Sequence, residues 1–166
     1  MRATLAVIVL ALAGCGGSTG EGGKPVVFQA RSSDGSRVVS TVALRGQPVL
    51  LTTWATWCTA CREELPAVER LYARERARGL RVVAVNVNAD GVGYRAKELV
   101  ASLGLTMPVW SDPGHAFSAQ FTAIGVPTTV LLDASGRVVR IWQGGIEPGR
   151  ESDVAVVERT LSGKAA

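Results

Sequence analysis

The chain has 166 residues, of which 47% are hydrophobic and 19% are charged, and its formal net charge is +4. This length is enough for one compact domain with a core, and the composition is that of a folded protein rather than a disordered one. The basic residues, mostly arginines, are scattered without a run or a stripe, which argues against nucleic-acid binding. The small positive excess indicates only a solvated surface.

The N-terminal residues predict an export signal followed by a lipid anchor. Arg2 gives a positive start, and residues 3–13 form an almost wholly apolar run. Such a run is too short to span a bilayer, which needs about 20 residues, but it suits the hydrophobic region of a signal peptide. Residues 12–15, Leu-Ala-Gly-Cys, resemble the bacterial lipobox, which implies cleavage before Cys15 and lipidation of its thiol. An ordinary cleaved signal with a free Cys15 and an uncleaved N-terminal anchor remain as alternatives.

These features divide the chain into four parts. We predict a lipoprotein signal peptide at 1–14, the lipidated Cys15 and a flexible tether at 15–24, a folded domain at 25–162 and a tail at 163–166. The Gly/Ser-rich tether has no apolar residue to bury and reaches roughly 15–18 Å. The folded domain is therefore expected close to a bacterial membrane but outside it, on the extracytoplasmic side, either in a periplasm or on the outer face.

The folded domain is organised around a strand that leads into two cysteines at the start of a helix. Residues 49–54 are apolar and β-branched, and a helical pattern runs from about 59 to 78, with Gly79 after its end. The spacing of Cys58 and Cys61 allows a small disulfide ring, and the helix N-terminus stabilises a thiolate on Cys58. The helical period places Cys61 toward the core and allows Cys58 to face solvent.

The other predicted elements alternate between strands and helices. In chain order they are a hairpin of residues 26–28 and 37–40, a strand at 80–87, a helix at 94–103, a short strand at 107–110, a helix at 112–121 capped by Asp112, a hairpin of 128–132 and 137–142, and a helix at 147–161. This order predicts an α/β sandwich with helices on both faces of a mixed sheet.

The order of the elements resembles the thioredoxin fold and, more narrowly, the membrane-tethered TlpA/ResA-type thiol-disulfide oxidoreductases. The residues that carry the resemblance are Trp54-Ala55-Thr56-Trp57-Cys58-x-x-Cys61-Arg62-x-Glu64-Leu65-Pro66 and, later, Gly125-Val126-Pro127-Thr128-Thr129. The resemblance implies a thioredoxin-like α/β/α sandwich with a mixed central sheet, an N-terminal β-hairpin extension, and a central αβ insertion between roughly residues 88 and 118.

The resemblance also implies roles for individual residues. Cys58 is the attacking thiolate that forms a mixed disulfide with the partner, and Cys61 resolves it. Pro127 matches the cis-proline of the thioredoxin fold, which sets Val126 opposite the cysteines to pair with the extended backbone of a partner. Trp57, beside Cys58, is expected to cover the disulfide and to shape the partner groove.

The resemblance implies that Glu64 is an active-site acid. It can lie at the edge of the apolar helix face, where a partly desolvated carboxylate has a raised pKa and can exchange protons with the thiols. The alternative is a solvated helix glutamate.

The sequence departs from thioredoxins at two places: Thr52 stands where they keep a buried Asp, and the dipeptide between the cysteines is Thr-Ala. The motif therefore leaves open whether the protein is a reductant or an oxidant.

We expect no metal and no cofactor other than the Cys58–Cys61 disulfide. A zinc site would need two ligands besides Cys58 and Cys61, and the domain has no other Cys and no clustered His. A peroxiredoxin-type site would need a Pro at position 51 and a Thr at position 55, where this chain has Leu and Ala. A copper-binding chaperone-like lipoprotein is the alternative, with His115 as a third ligand, although a lone His after Pro-Gly is more often a surface residue. A scaffold protein without activity is a further alternative, which the intact cysteine pair disfavours.

The sequence therefore predicts an extracytoplasmic thiol-disulfide oxidoreductase that is anchored to a membrane by lipid. The resemblance implies that it reduces disulfides in exported protein partners, with apocytochrome c as the leading candidate. We expect a monomer that receives electrons from an upstream membrane thiol donor and binds no nucleic acid.

Overall fold

A computed structural model describes residues 23–163, so the predicted signal peptide, Cys15 and most of the tether lie outside the described residues. The strands and helices in chain order are β1 Gln29–Ser32, β2 Val38–Ser40, β3 Val49–Trp54, α1 Thr59–Glu75, β4 Arg81–Asn86, α2 Tyr94–Ser102, β5 Val109–Ser111, α3 Ala116–Phe121, β6 Thr128–Leu132, β7 Val138–Gln143 and α4 Glu151–Leu161. Within this part of the chain, none of the helices has the length and hydropathy needed to cross a membrane.

The strands form one mixed sheet in the order β2-β1-β5-β4-β3-β6-β7. β3, β4 and β5 are parallel, whereas β6 runs antiparallel to β3 and both hairpins are antiparallel. All six residues of β3 are buried, because the strand lies inside the sheet and is covered on both faces. The C-terminal end of β3 leads directly to the cysteine pair.

One face of the sheet is covered by α1 and α4. Successive side chains of a strand point to opposite faces, so Thr52 of β3 and its partner Thr129 of β6 share a face. Glu64 of α1 reaches the hydroxyls of both. Trp142, which pairs with Thr129, donates its indole N–H to Asp153 of α4 at 2.9 Å. Both helices therefore pack on this face.

The opposite face is covered by α3 through a cluster of aromatic rings. Phe117 and Phe121 of α3 pack with Phe28 and with each other, and Phe28 stacks on Trp110 of β5, with ring centroids between 4.7 and 6.2 Å apart. Phe28 and Phe117 are fully buried. The cluster thus attaches the N-terminal hairpin to the inserted β5. The predicted thioredoxin-like α/β/α sandwich, with its mixed sheet, hairpin extension and αβ insertion, is confirmed.

The predicted first strand at 26–28 is wrong, because β1 begins at Gln29. The N–H of Val26 donates to the carbonyl of Gly136 at 2.8 Å, and that of Phe28 donates to the hydroxyl of Thr41 at 3.0 Å. The segment is therefore held by loops and by a side chain rather than by a neighbouring strand.

The short strand was predicted at 107–110, but β5 is Val109–Ser111. The N–H of Met107 donates to the carboxylate of Glu69 on α1 at 3.1 Å, so this backbone group is bound outside the sheet. α1 ends at Glu75, earlier than the predicted 78, and a 3₁₀ turn at Arg76–Arg78 continues to Gly79, which has the predicted position after the helix and a φ of 100°.

Two helices begin later than predicted. α3 begins at Ala116 instead of 112, although Asp112 does cap it by accepting the N–H groups of Ala116 and Phe117 at 3.0 and 2.8 Å. α4 begins at Glu151 instead of 147. The N–H of Glu147 donates to Asp153, so residues 147–150 form a separate turn in front of the helix.

Candidate active site

Cys58 and Cys61 form a disulfide at the start of α1. Cys58 is the N-cap residue, and its Sγ accepts the backbone N–H of Cys61 at 3.1 Å. An N–H group aimed at the sulfur, together with the helix N-terminus, stabilises negative charge on Cys58 once the disulfide is reduced. The geometry therefore favours Cys58 as the attacking thiolate.

Cys58 is buried, although the helical period allowed it to face solvent. Its exposed fraction is 6%, against 1% for Cys61. The carbonyl oxygen of Val126 lies 3.7 Å from the Sγ of Cys58, and the carbonyl oxygen of Thr53 lies 3.9 Å from the Sγ of Cys61. The segment before Pro127 thus covers Cys58, while β3 covers Cys61. Cys58 remains the more exposed of the two cysteines.

The turn between β3 and Cys58 is fixed by a side chain that the sequence analysis did not identify. The Oδ1 of Asn88, shortly after β4, accepts the N–H of Thr56 at 3.1 Å, and Asn88 is buried. The guanidinium of Arg62 on α1 donates to the carbonyl of Thr56. Parallel strands end at the same edge of a sheet, so a polar residue just after β4 was the signal available in the sequence.

The Val126–Pro127 peptide bond is cis, as the resemblance implies. The hydroxyl of Thr53 on β3 accepts the N–H of Thr128 at 2.8 Å and donates to the carbonyl of Thr128 at 3.1 Å. These two bonds tie the start of β6 to β3, beside the disulfide. Val126 and Pro127 are therefore brought together with Cys58, as predicted.

Gln143, at the end of β7, holds the segment that precedes Pro127. Its side-chain oxygen accepts the N–H of Ile124 at 3.2 Å, and its amide nitrogen donates to the carbonyl of Thr122 at 3.1 Å. Ile124 is 85% exposed and Trp57 is 69% exposed. Trp57 thus extends into solvent next to Cys58. Ile124 is an exposed residue of the loop that covers Cys58. No local motif or periodicity singles out Gln143 or Ile124.

Glu64 is half-buried on α1, and its Oε1 is surrounded by three hydrogen-bond donors. The N–H of Ile146 lies 3.1 Å away, and the hydroxyls of Thr129 and Thr52 lie 3.3 and 3.5 Å away. Burial raises the pKa of Glu64 to about 7, although these hydrogen bonds act in the opposite direction. Glu64 is therefore not a solvated helix residue. Its carboxyl lies against Thr52, the position at which thioredoxins carry a buried Asp.

A surface cleft of about 550 Å³ borders the Glu64 side chain, between the start of α1 and the segment that follows β7. Ala60, which lies between the two cysteines, and Glu63 line one wall, and Ile146 and Arg150 line the other. The cleft therefore adjoins Glu64 and, through Ala60, the first turn of α1.

No group of three or more His, Cys, Asp or Glu side chains in residues 23–163 is arranged to hold a metal ion. His115 is exposed, has a left-handed backbone conformation with φ 55° and precedes α3. The donor set that the copper-binding alternative requires is not assembled by these residues.

The chain is similar to known thiol-disulfide oxidoreductases. The model of the Redoxin family matches residues 21–161. The thiol-disulfide oxidoreductase ResA of Halalkalibacterium halodurans is 31% identical over 103 residues, which cover 62% of this chain and 57% of that protein. ResA of Bacillus subtilis is 29% identical over 127 residues, covering 76% of this chain and 69% of that protein. The chain thus spans little more than half the length of several curated relatives that it matches.

A solved structure shares the fold over most of the described residues. The crystal structure of a candidate thiol:disulfide interchange protein DsbE from Chlorobium tepidum superimposes with a TM-score of 0.73 at 29% sequence identity. The superposition covers 84% of this chain and 96% of that chain.

Proposed function

The chain belongs to the Redoxin family as a TlpA/ResA-type thioredoxin-like protein, and on this basis we propose that it is a thiol-disulfide oxidoreductase that reduces disulfides in exported protein partners. The observation that carries the proposal is the position of Cys58. Its sulfur caps α1, accepts the N–H of Cys61 and lies beside the carbonyl of Val126.

The reaction begins with the reduced cysteine pair. The thiolate of Cys58 attacks one sulfur of the partner's disulfide, the partner's S–S bond breaks, and its second sulfur leaves and takes up a proton. Cys61 then loses its proton and attacks the Sγ of Cys58, which releases the partner's first sulfur as a thiol and closes the Cys58–Cys61 disulfide. Two electrons pass to the partner, and an upstream thiol donor must return two electrons to the protein.

Glu64 serves as the proton acceptor for Cys61 in this proposal. It follows Cys61 by three residues on α1, so both side chains lie on one side of the helix. A carboxyl with a pKa of about 7 can accept and release a proton near neutral pH. Its neighbours Thr52 and Thr129 hold it by their hydroxyls.

The partner is proposed to bind across the loop that contains Val126. An extended segment of the partner can pair with the backbone there, which brings its disulfide next to Cys58. Trp57 and Ile124 supply exposed apolar contacts close by, as is typical of surfaces that bind other proteins. Apocytochrome c is the leading candidate substrate, because its haem-binding cysteines must be reduced before the haem is attached.

Residues 1–24 support an extracytoplasmic location for this reaction. The apolar run, the lipobox-like residues that end at Cys15 and the Gly/Ser-rich tether would hold the domain near a bacterial membrane. We propose that the protein acts there as a monomer and receives its electrons from a membrane thiol donor.

The first experiment measures the reduction potential of the Cys58–Cys61 pair in the full chain in detergent, by equilibration with graded thiol–disulfide buffers. A value toward the thioredoxin end of the range, about −270 mV, supports the reductase, whereas a value toward about −120 mV indicates an oxidant. Absence of a reversible two-electron titration contradicts the enzyme function, and copper binding by the reduced chain is then the next measurement.

A second experiment traps the partner. A Cys61→Ser variant cannot resolve the mixed disulfide and should accumulate one with a protein substrate, while the matched Cys58→Ser variant should form none. Equal trapping by both variants contradicts the assignment of Cys58 as the attacking residue.

A further inference from the structure

The loop that follows β7 lies directly over the carboxyl of Glu64. Gly145, with φ 89°, approaches it so closely that a Cβ at this position would lie 2.1 Å from Oε2, 2.6 Å from Cδ and 2.8 Å from Oε1 of Glu64. Contacts below 3.0 Å are essentially never made by a real Cβ. The carboxyl group therefore occupies the space that any side chain at residue 145 would need.

The neighbours of Gly145 fix the loop in this position. The N–H of Ile146 donates to Oε1 of Glu64 at 3.1 Å, and the N–H of Gly144 donates to the carbonyl of Pro127 at 3.0 Å. The loop is thus bonded both to the carboxyl and to the segment that covers Cys58. These contacts were not predictable from the spacing of residues on α1.

We propose that Gly145 is a positioning residue for Glu64: its lack of a side chain lets the carboxyl lie between the loop 144–146 and the hydroxyls of Thr52 and Thr129, sheltered from water. The contact itself is independent of the reaction. Its importance for thiol-disulfide exchange rests on the proposed function.

A side chain at residue 145 would move the carboxyl of Glu64 out into the adjoining cleft or push the loop away from it. Both movements bring water to the carboxyl. Burial is the largest cause of the raised pKa of Glu64, so hydration lowers that pKa from about 7 toward the ordinary value of 4.5.

A competing explanation is that glycine is needed at 145 only for its backbone conformation. Gly144 provides the matched control, because its φ is 90° and no atom lies within 4 Å of a Cβ placed there. Gly144→Ala therefore carries the same left-handed backbone strain as Gly145→Ala but makes no collision with Glu64.

The first test titrates the Glu64 carboxyl by ¹³C NMR in the full, oxidised chain, with Glu64→Gln used to assign the resonance. In Gly145→Ala the pKa should fall from about 7 toward 4.5, whereas in Gly144→Ala it should remain near the wild-type value. An unchanged titration in Gly145→Ala, or an equal fall in both variants, overturns the proposal.

The second test is a double-mutant cycle on the unfolding midpoint in denaturant. Gly145→Ala should lower the midpoint less in a Glu64→Ala background, where the collision is absent, than in the wild type. Gly144→Ala should lower it equally in both backgrounds. If the Gly145→Ala single variant does not fold, folding of the Glu64→Ala/Gly145→Ala double variant shows that removing the Glu64 carboxyl relieves the collision. Equal losses for Gly145→Ala in both backgrounds overturn the proposal.

Neither test depends on redox turnover. If the cysteine pair shows no reversible titration while Gly145→Ala still shifts the pKa of Glu64, the proposed function fails and the positioning role of Gly145 stands. If the pair titrates normally but the pKa is unchanged, the positioning role fails alone.

Discussion

Glu64 on α1 accepts a hydrogen bond from the backbone N–H of Ile146 at 3.1 Å, although the two residues are 82 positions apart in the chain. This bond joins the start of the helix that carries both cysteines to the loop that follows the last strand. It also shields a carboxyl whose pKa is raised to about 7 by burial. The protonation of one side chain is therefore coupled to the folding of two distant segments.

The first prediction is a pH-dependent stability. Because the folded-state pKa of Glu64 is about 7 and the ordinary value is 4.5, the folded protein holds a proton that the unfolded chain releases between these pH values. The raised pKa of Glu64 therefore stabilises the folded state most below about pH 4.5. This stabilisation is lost as the pH rises to about 7, which lowers the free energy of unfolding by on the order of 3 kcal/mol. Denaturant unfolding across this pH range measures it.

Glu64→Gln is the control for this prediction, since glutamine keeps the size of the side chain and does not titrate. Between about pH 4.5 and 7, the free energy of unfolding of the wild type should fall relative to that of Glu64→Gln. Above about pH 8 the difference between the two proteins should be constant. A difference that does not vary with pH contradicts the raised pKa.

The second prediction concerns the hydroxyls beneath the carboxyl. Thr129 lies 3.3 Å from Oε1 of Glu64, and this hydrogen bond lowers the pKa of Glu64. Thr129→Val removes the bond at similar volume, so the pKa should rise further above about 7. NMR titration of the carboxyl measures the shift. Thr160→Val on α4, whose hydroxyl bonds the carbonyl of Val156 instead, should leave the titration unchanged.

The fold was predictable because its signals are local. The buried strand β3, the cysteine pair at the start of α1 and the turn residues of both hairpins lie within short stretches of sequence. The errors arose where a distant group satisfies the backbone. Asp112 caps α3 across an intervening turn, and Asp153 binds the N–H of Glu147 in front of α4. Residues that look helical by pattern are therefore left outside these helices.

The cysteines, Pro127 and Glu64 could be proposed as candidate site residues from their motif, but their surroundings could not be predicted. Gly145 and Ile146 reach Glu64 only because β7 lies beside β6, and nothing in their local sequence indicates a carboxyl. The covering of Cys58 by the Val126 segment depends in the same way on strand order. Long-range contacts of this kind carry no periodicity that a sequence pattern can reveal.

The third prediction tests the turn before Cys58. Asn88→Ala removes the acceptor for the part-buried N–H of Thr56, which should lower the free energy of unfolding by about 1 kcal/mol. Asn88→Asp keeps an acceptor oxygen at the same place and should lower the free energy of unfolding by less than Asn88→Ala does. Denaturant unfolding of the two variants gives the comparison. Equal losses contradict a role for this acceptor.

The fourth prediction tests the partner-binding surface. Trp57 is 69% exposed, so Trp57→Ala should change the free energy of unfolding by no more than about 0.5 kcal/mol. An exposed aromatic anchor at an interface typically contributes about 1–2 kcal/mol to binding, so exchange with a protein disulfide should slow by roughly 5- to 30-fold. Exchange with a small disulfide, which makes no such contact, should keep its rate.

Tyr94 provides the matched control for Trp57, because it is an aromatic residue that is 76% exposed and begins α2, whereas Trp57 directly precedes Cys58. Tyr94→Ala should leave exchange with both kinds of disulfide unchanged. Stopped-flow measurement of the two rates for each variant decides the question. If Trp57→Ala slows the protein and the small disulfide equally, the side chain acts on the reactivity of Cys58 rather than on the partner. If Trp57→Ala slows neither exchange, Trp57 is not part of the partner-binding surface. Ile124 and the Val126 segment must then be tested by their own substitutions.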